Sequence, residues 1–346
     1  MKIAHVRERH GPAGASWRLA AALDNPPTRW LDLEVARRRL AASDPGRAHN
    51  SVLFRAPLST LDAHLAAGLR VEALAELVDG FALRGGSDED DAVLAGSDLQ
   101  FGPPVLRPPS FRDFYAFEGH VRTMWERRGQ EVPEAWYRLP IFYFSNVSEI
   151  RGPGEPVHAP RGSAELDFEL EVAAVVDTPA TDLPAGRAEE AIGGYTILND
   201  WSARDLQREE TTVRLGPAKG KDFASTIGPW LVTPDELADA RRGKGYDLPM
   251  TATVCGASGV TVEVSRGTWA DIQYSFGEIL ERASADVQLR PGDLVGSGTV
   301  GTGCLLEVKD STLRRWLEPG DEVALAIGRL GELRSPIAAR AAVGAS

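Results

Sequence analysis

Residues 164–176, AELDFELEVAAVV, decide how the rest of the chain is read. At period 2, Leu166, Phe168, Leu170 and Val172 share one face, and Asp167, Glu169 and Glu171 share the other. The run Ala173, Ala174, Val175, Val176 then turns wholly apolar. A strand with one polar face is ordinary. A strand that stacks three acids and then enters a core is not. Residues i and i+2 of a strand lie about 6.5–7 Å apart on one face. Glu169 and Glu171 can therefore bend toward one cation held about 2.1–2.5 Å from an oxygen of each. The plain alternative is a solvated polar face. The adjoining apolar run favours the cation, because a deeply buried strand cannot point carboxylates inward without partners.

A second stretch, LNDWSARDLQREE at 198–210, adds to this. Asp200 ends the strand-like YTIL, and Arg204, Asp205 and Gln207 follow within seven residues. A carboxylate at a strand end beside a fixed cation and an amide suits an anionic, oxygen-rich ligand on a metal. The alternative is an exposed turn anchored by a buried Trp201. In FRDFYAFEGH, Asp113 and His120 are seven apart, so an unbroken helix would set both on one face. Gly119 interrupts that expected helix. The remaining histidines, His5, His10, His49, His64 and His158, have no companion acid pattern. Farther on, GSGTVGTGCLLE at 296–307 offers backbone N–H groups around Gly298 and Thr299 and a carboxylate, Glu307, expected on a strand.

Several chemistries are excluded. Lys221 follows a glycine in LGPAKGKDF, but without P-loop spacing, so no nucleotide site is expected. No Rossmann glycine pattern precedes a helix, and no Gly-x-Ser-x-Gly elbow occurs. Two cysteines, Cys255 and Cys304, lie outside any Cys-x-x-Cys pattern, which argues against a disulfide scaffold or zinc cluster. A net charge of −12 repels nucleic acid but leaves room for a locally positive site that takes a small anion. No apolar run reaches the roughly 18 residues of a membrane span. The N-terminus, MKIAHVRERHGPAG, lacks an apolar signal core and reads as the first strand of a cytoplasmic protein.

The 346 residues suggest two units. The first holds a strand at KIAHV, a helix at LEVARRRLAAS and a second helix at VEALAELVDG ending at Gly80, followed by the acidic loop 85–91. The Pro-dense stretch 101–110 marks the boundary, giving an N-terminal domain at 1–105 and a second domain at 106–346. After the helix expected at 111–129, the second domain reads mainly as strands: LPIFYFSNV, 166–177, GGYTILNDWS, and a hairpin across Gly256 to Gly259. Residues 271–285 form its best amphipathic helix, 289–308 return to glycine-punctuated β-structure, and two closing strands follow. The class is α+β, dominated by β.

LPIFYF, LDFELEV, NDWSARDLQ, GKDF and GSGT, in this order and at these spacings, resemble the fumarylacetoacetate hydrolase family. The resemblance runs from Asp113 to Glu307 and on toward the C-terminus; the first hundred residues carry none of it. It implies a mixed β-roll catalytic domain in homodimers; the strand and helices read before it make a smaller N-terminal α/β domain. It implies a divalent metal, Mg²⁺ first with Ca²⁺ or Mn²⁺ as alternatives, on Asp113, Glu169, Glu171 and Asp200. His120 and Glu307 are implied to activate water, with Arg204, Gln207 and Lys221 facing the substrate oxygens. Tyr115 and Tyr143 are implied as further polar contacts, beside Gly298 and Thr299.

The expected activity is hydrolysis of a carbon–carbon bond in a 1,3-diketone or acylpyruvate-type acid, a small anionic oxo-acid. The alternatives are decarboxylation, hydration or isomerisation of a 2-oxo acid on the same platform, or a non-catalytic relative that binds metal and dicarboxylate. The chain departs from the family pattern in places. Thr211 stands near where the namesake hydrolase has an aromatic residue, and Arg127 or Arg128 would replace the basic residue expected after His120.

Overall fold

The computed structural model describes residues 1–12, 14–84, 87 and 90–340. A large mixed sheet, twelve strands among the described residues, forms its frame. Along its main path the order is Val93–Ala95, Arg29–Asp32, Arg18–Ala22, Lys2–Glu8, Ser225–Val232, Ile192–Asp200, Leu170–Val176, Leu294–Gly296, Phe111–Phe114 and Phe142–Phe144. A four-stranded antiparallel sheet, Thr261–Thr268, Pro249–Cys255, Glu322–Ile327 and Gly331–Pro336, packs across one face. The β-dominated α+β class is as expected.

Leu170–Val176 sits in the middle because every one of its seven residues is buried. Val172, Ala174 and Val176 belong to the core shared with the smaller sheet. Ala173 and Val175 belong to the core shared with the N-terminal helices. Each valine removed from water contributes about 1.5–3 kcal/mol, so two-sided burial locks this strand's register. That register sets the site, because Glu171 lies opposite Leu198 and Leu170 opposite Asn199.

The N-terminal 105 residues join the same sheet: Lys2 and Ile3 pair antiparallel with Val232 and Leu231. Their helix Leu33–Ser43 starts where Asp32 accepts from the amides of Glu34 and Val35, both at 3.1 Å, and buries Leu33, Ala36 and Leu40. Ile3, Leu19 and Leu31 thus share a core with Ala173, Val175, Leu198 and Ile227.

Some expected elements change. Residues 111–129 are not one helix: Phe111–Phe114 is a buried strand, and the helix covers only Glu118–Glu126. Asp113 and His120 therefore reach the site from two elements, not from one helical face. Gly119 lies inside the second element without breaking it. The strand expected over 166–177 breaks at Phe168 and Glu169 into Leu166–Asp167 and Leu170–Val176. Glu307 lies on the one-turn helix Leu305–Val308, not on a strand. VEALAELVDG opens as a 3₁₀ turn, Val71–Leu74, and its helix continues to Leu83. The amphipathic helix begins at Phe276, behind the Ser275–Glu278 capping box. The 256–259 hairpin and the closing strands form as expected. Of the acidic loop, residues 85, 86, 88 and 89 lie outside the described residues. Among the described residues no helix is long and apolar enough to cross a membrane.

Candidate active site

Neighbouring strands of the large sheet deliver the acids. Asp200 ends Ile192–Asp200, Glu171 lies near the start of Leu170–Val176, and Asp113 lies on Phe111–Phe114 opposite Gly296. Glu169 comes from the break just before its strand. Asp113, Glu169, Glu171 and Asp200 are all nearly or fully buried. Such a concentration of like charge requires cations, and two are present. Lys221 Nζ bonds Glu169 and lies 2.6 Å from Asp200 Oδ2, while Arg204 reaches Glu169 at 2.8 Å.

The electrostatics divide the acids. Burial alone would raise the Glu169 carboxyl, but Lys221 and Arg204 outweigh it and hold it at about 2. Burial, then the charge of Asp200, pushes Asp113 well above the ordinary carboxylate range. Burial, then the charges of Asp113 and Glu169, does the same to Glu171. Asp113 Oδ1 has no ordinary donor among the described residues, and its carboxyl can bond that of Glu171 only while one of the two is protonated. A buried, over-acidic set of oxygen donors with an orphan oxygen fits a hard divalent cation.

Further residues shape this shell. Glu171 accepts from the Gly298 amide at 3.0 Å and the Thr299 hydroxyl at 3.3 Å, so both expected substrate contacts are engaged by this acid. Gly298 has φ +78, and a Cβ there would stand 2.4 Å from the Phe114 carbonyl oxygen, so only glycine brings this amide to Glu171. The Tyr143 hydroxyl donates to Asp200 and lies 3.3 Å from Asp113 Oδ2. Gln207 Oε1 accepts from Arg204 at 3.0 Å, which leaves its NH₂ as the end with donors to offer.

The second half of the site is His120 with Glu307. His120 is the third residue of Glu118–Glu126, and its Nδ1 lies 3.0 Å from Glu307 Oε2, with both side chains at most 5 % exposed. The Tyr115 ring packs edge-on against the imidazole, 5.4 Å between centroids. Arg127 donates to the Glu307 carbonyl at 2.9 Å and ties the two short helices together.

One residue was read in the sequence only as part of an acidic face. Asp167 accepts from the Leu305 and Leu306 amides at 2.7 and 2.9 Å and from Arg204 Nε at 2.7 Å. It caps the helix that carries Glu307 and anchors the arginine that faces Glu169. Its place beside Glu169 in LDFELEV was the only local signal. Cys304 is also new to the site, with Sγ 3.5 Å from Glu307 Oε2.

A cavity of about 570 Å³, a size suited to a small ligand, collects these groups. Asp113, Tyr115, His120, Tyr143, Glu169, Glu171, Arg204, Gln207, Lys221, Gly298 and Thr299 line it. Asp200 stands behind Lys221 and Tyr143, and Glu307 behind His120. The thirteen residues expected to hold metal, activate water or face substrate thus come together, while Asp205 instead accepts from Ser163 and the Ala164 amide. Arg128, Trp125, Ile141 and Phe142 form part of the remaining wall.

A mixed-sheet frame thus carries four buried acids at and beside its strands, next to a His–Glu pair. The family is equally plain: residues 110–338 match the fumarylacetoacetate (FAA) hydrolase C-terminal model, and the chain belongs to the fumarylacetoacetate hydrolase family. A fumarylacetoacetase of Oryza sativa subsp. japonica is 28% identical over 395 residues, covering 95% of this chain and 91% of the relative. The fold is shared with a fumarylacetoacetate hydrolase of Exiguobacterium antarcticum, TM-score 0.66 at 20% identity, covering 98% of this chain and 100% of that one. It is shared too with a 2-hydroxyhepta-2,4-diene-1,7-dioate isomerase of Mycobacterium marinum, TM-score 0.61 at 22% identity, covering 98% of both chains.

Proposed function

We propose that this chain is a divalent-metal-dependent hydrolase that cleaves a carbon–carbon bond in a 1,3-diketone or acylpyruvate-type acid. The observation that carries the reading is the buried His120–Glu307 pair, 3.0 Å apart, whose histidine lines the same cavity as Asp113, Glu169 and Glu171. A hydrolase must make a nucleophile from water, and a histidine backed by a carboxylate does so. Decarboxylation has no need of that pair.

Asp113, Glu169, Glu171 and Asp200 would hold the metal, Mg²⁺ first among oxygen-seeking ions, with Ca²⁺ or Mn²⁺ as alternatives. Bound there, it supplies Lewis acidity toward the chelating oxygens of the substrate. The other roles fall to side chains. His120 takes a proton from water while the Glu307 carboxylate, 3.0 Å from Nδ1, stabilises the imidazolium by its charge. Lys221, Arg204 and Gln207 oppose the negative charge that grows on the attacked carbonyl oxygen, an effect worth about 2.7–4 kcal/mol per donor. The hydroxide oxygen bonds the carbonyl carbon, the carbon–carbon bond breaks, and its electrons pass to a leaving carbon that its own neighbouring carbonyl stabilises as an enolate and that takes the proton back from the His120 imidazolium. Tyr115 and Tyr143 close the polar wall around a small anionic oxo-acid, and the working unit is a homodimer.

A second reading is isomerisation, hydration or decarboxylation of a 2-oxo acid on the same shell, favoured by the fold shared with the mycobacterial isomerase. Product analysis on a panel of acylpyruvates and oxaloacetate separates the two, with Mg²⁺ and again after chelation. Metal-dependent release of pyruvate and a carboxylic acid supports the hydrolase. Carbon dioxide alone, or a rearranged product of unchanged mass, supports the second reading.

A further inference from the structure

We infer that His120, Cys304 and Glu307 form a second cation site, selective for a thiophilic divalent ion such as Zn²⁺ and separate from the carboxylate shell. One ligand atom from each of the three residues lies within 4.8 Å of the other two. His120 is 4 % exposed and Cys304 fully buried, and the Glu307 side chain is 2 % exposed. A tetrahedral zinc with Zn–N and Zn–O of about 2.0 Å and Zn–S of about 2.3 Å sets its nitrogen and oxygen about 3.3 Å apart, and its sulfur and oxygen about 3.5 Å apart. The structure has His120 Nδ1 at 3.0 Å and Cys304 Sγ at 3.5 Å from the same atom, Glu307 Oε2.

A second observation points to a ligand. His120 Nδ1 makes no hydrogen bond, although Glu307 Oε2 is 3.0 Å away. A buried ring nitrogen thus stands beside the carboxylate without being satisfied by it, as it would with an ion held by both.

The donor sets separate the two sites chemically. Four carboxylates prefer a hard ion that keeps water, whereas imidazole and thiolate prefer zinc. Binding exchanges the Cys304 thiol proton for the metal and releases that proton to solvent. His120 lines the cavity, which gives the ion a route in and a water for its fourth position. An ion held there occupies both members of the pair, so zinc acts as a reversible inhibitor while the carboxylate shell remains filled. The site itself does not depend on which reaction the enzyme performs.

The test is a Co²⁺ titration of the full chain in saturating Mg²⁺, followed by absorbance. The site requires one Co²⁺ per chain, a near-ultraviolet thiolate-to-cobalt charge-transfer band, and stoichiometric displacement by Zn²⁺. C304S should lose the band and weaken binding by at least about tenfold. C255S, at the other free cysteine, should keep the band, so the signal is assigned to Cys304 even if C304S folds poorly, and loss of the band in C255S would overturn the proposal. Uptake only as Mg²⁺ is displaced, binding without a thiolate band, or wild-type behaviour in C304S would each overturn the proposal. Turnover plays no part in this readout, so a wrong substrate class leaves it intact.

Discussion

Asp167 and Arg204 form a buried ion pair, Oδ2 to Nε 2.7 Å, that joins the two halves of the site. The arginine faces Glu169 at 2.8 Å, and the aspartate caps the helix that carries Glu307. Removing the charge of Asp167 leaves Arg204 buried with one acid fewer and weakens the helix cap. D167N should lose about 3–5 kcal/mol of stability in denaturant unfolding. A loss below about 1 kcal/mol, the scale of an exposed pair, would make the contact incidental.

His120 and Glu307 should separate from the acids in kinetics. H120A should lower kcat by about 10²–10⁴-fold with Mg²⁺ affinity unchanged by calorimetry. E307Q, which keeps the shape but removes the charge beside the ring, should cost about 10–100-fold. Loss of Mg²⁺ binding in H120A would place this histidine in the metal shell instead.

Metal removal should make stability depend on pH in a particular direction. Asp113 and Glu171 are raised in the fold by burial and by neighbouring charge, so they favour the folded state while protonated. That contribution is full below their unfolded pKa and is lost as pH rises toward their folded values. Glu169, held at about 2, has the opposite dependence, and its contribution is already complete at mildly acidic pH. The Tm of chelated protein should therefore fall as pH rises above the unfolded carboxylate range of about 4, and Mg²⁺ should flatten the slope. A chelated protein whose Tm instead rises with pH there would contradict this electrostatic picture.

Gly298 gives a backbone test of the shell. A Cβ would meet the Phe114 carbonyl oxygen at 2.4 Å and force an L-residue to φ +78. G298A should lose about 1–3 kcal/mol from strain. It should also bind Mg²⁺ more weakly in calorimetry, because the amide withdraws from Glu171. Unchanged affinity would show that this amide does not position the acid.

The parts of the site legible in the sequence are local. Glu169 and Glu171 sit two apart beside a strand buried on both faces, and Asp200, Arg204 and Gln207 sit where that strand's neighbour ends. Periodicity and residue type suffice there. The pairing of His120 with Glu307, 187 positions along, has no local signature and was anticipated only through family resemblance. The strand at Phe111–Phe114 was hidden because a short, fully buried strand and a buried helical turn share one apolar pattern. Glu307 reads as part of a strand because its one-turn helix, Leu305–Val308, is capped by Asp167 from far along the chain. The continuity of the N-terminal strands with the large sheet rests likewise on a distant pairing, Lys2 with Val232.

The most direct test of water-dependent carbon–carbon cleavage is mass spectrometry of the products formed from an acylpyruvate in heavy-oxygen water with Mg²⁺. Hydrolysis requires the newly formed carboxylate to carry an oxygen from that water, in a reaction that stops on chelation and in H120A. Consumption of the substrate without such a labelled carboxylate, or labelling at the wild-type rate in H120A, would contradict it.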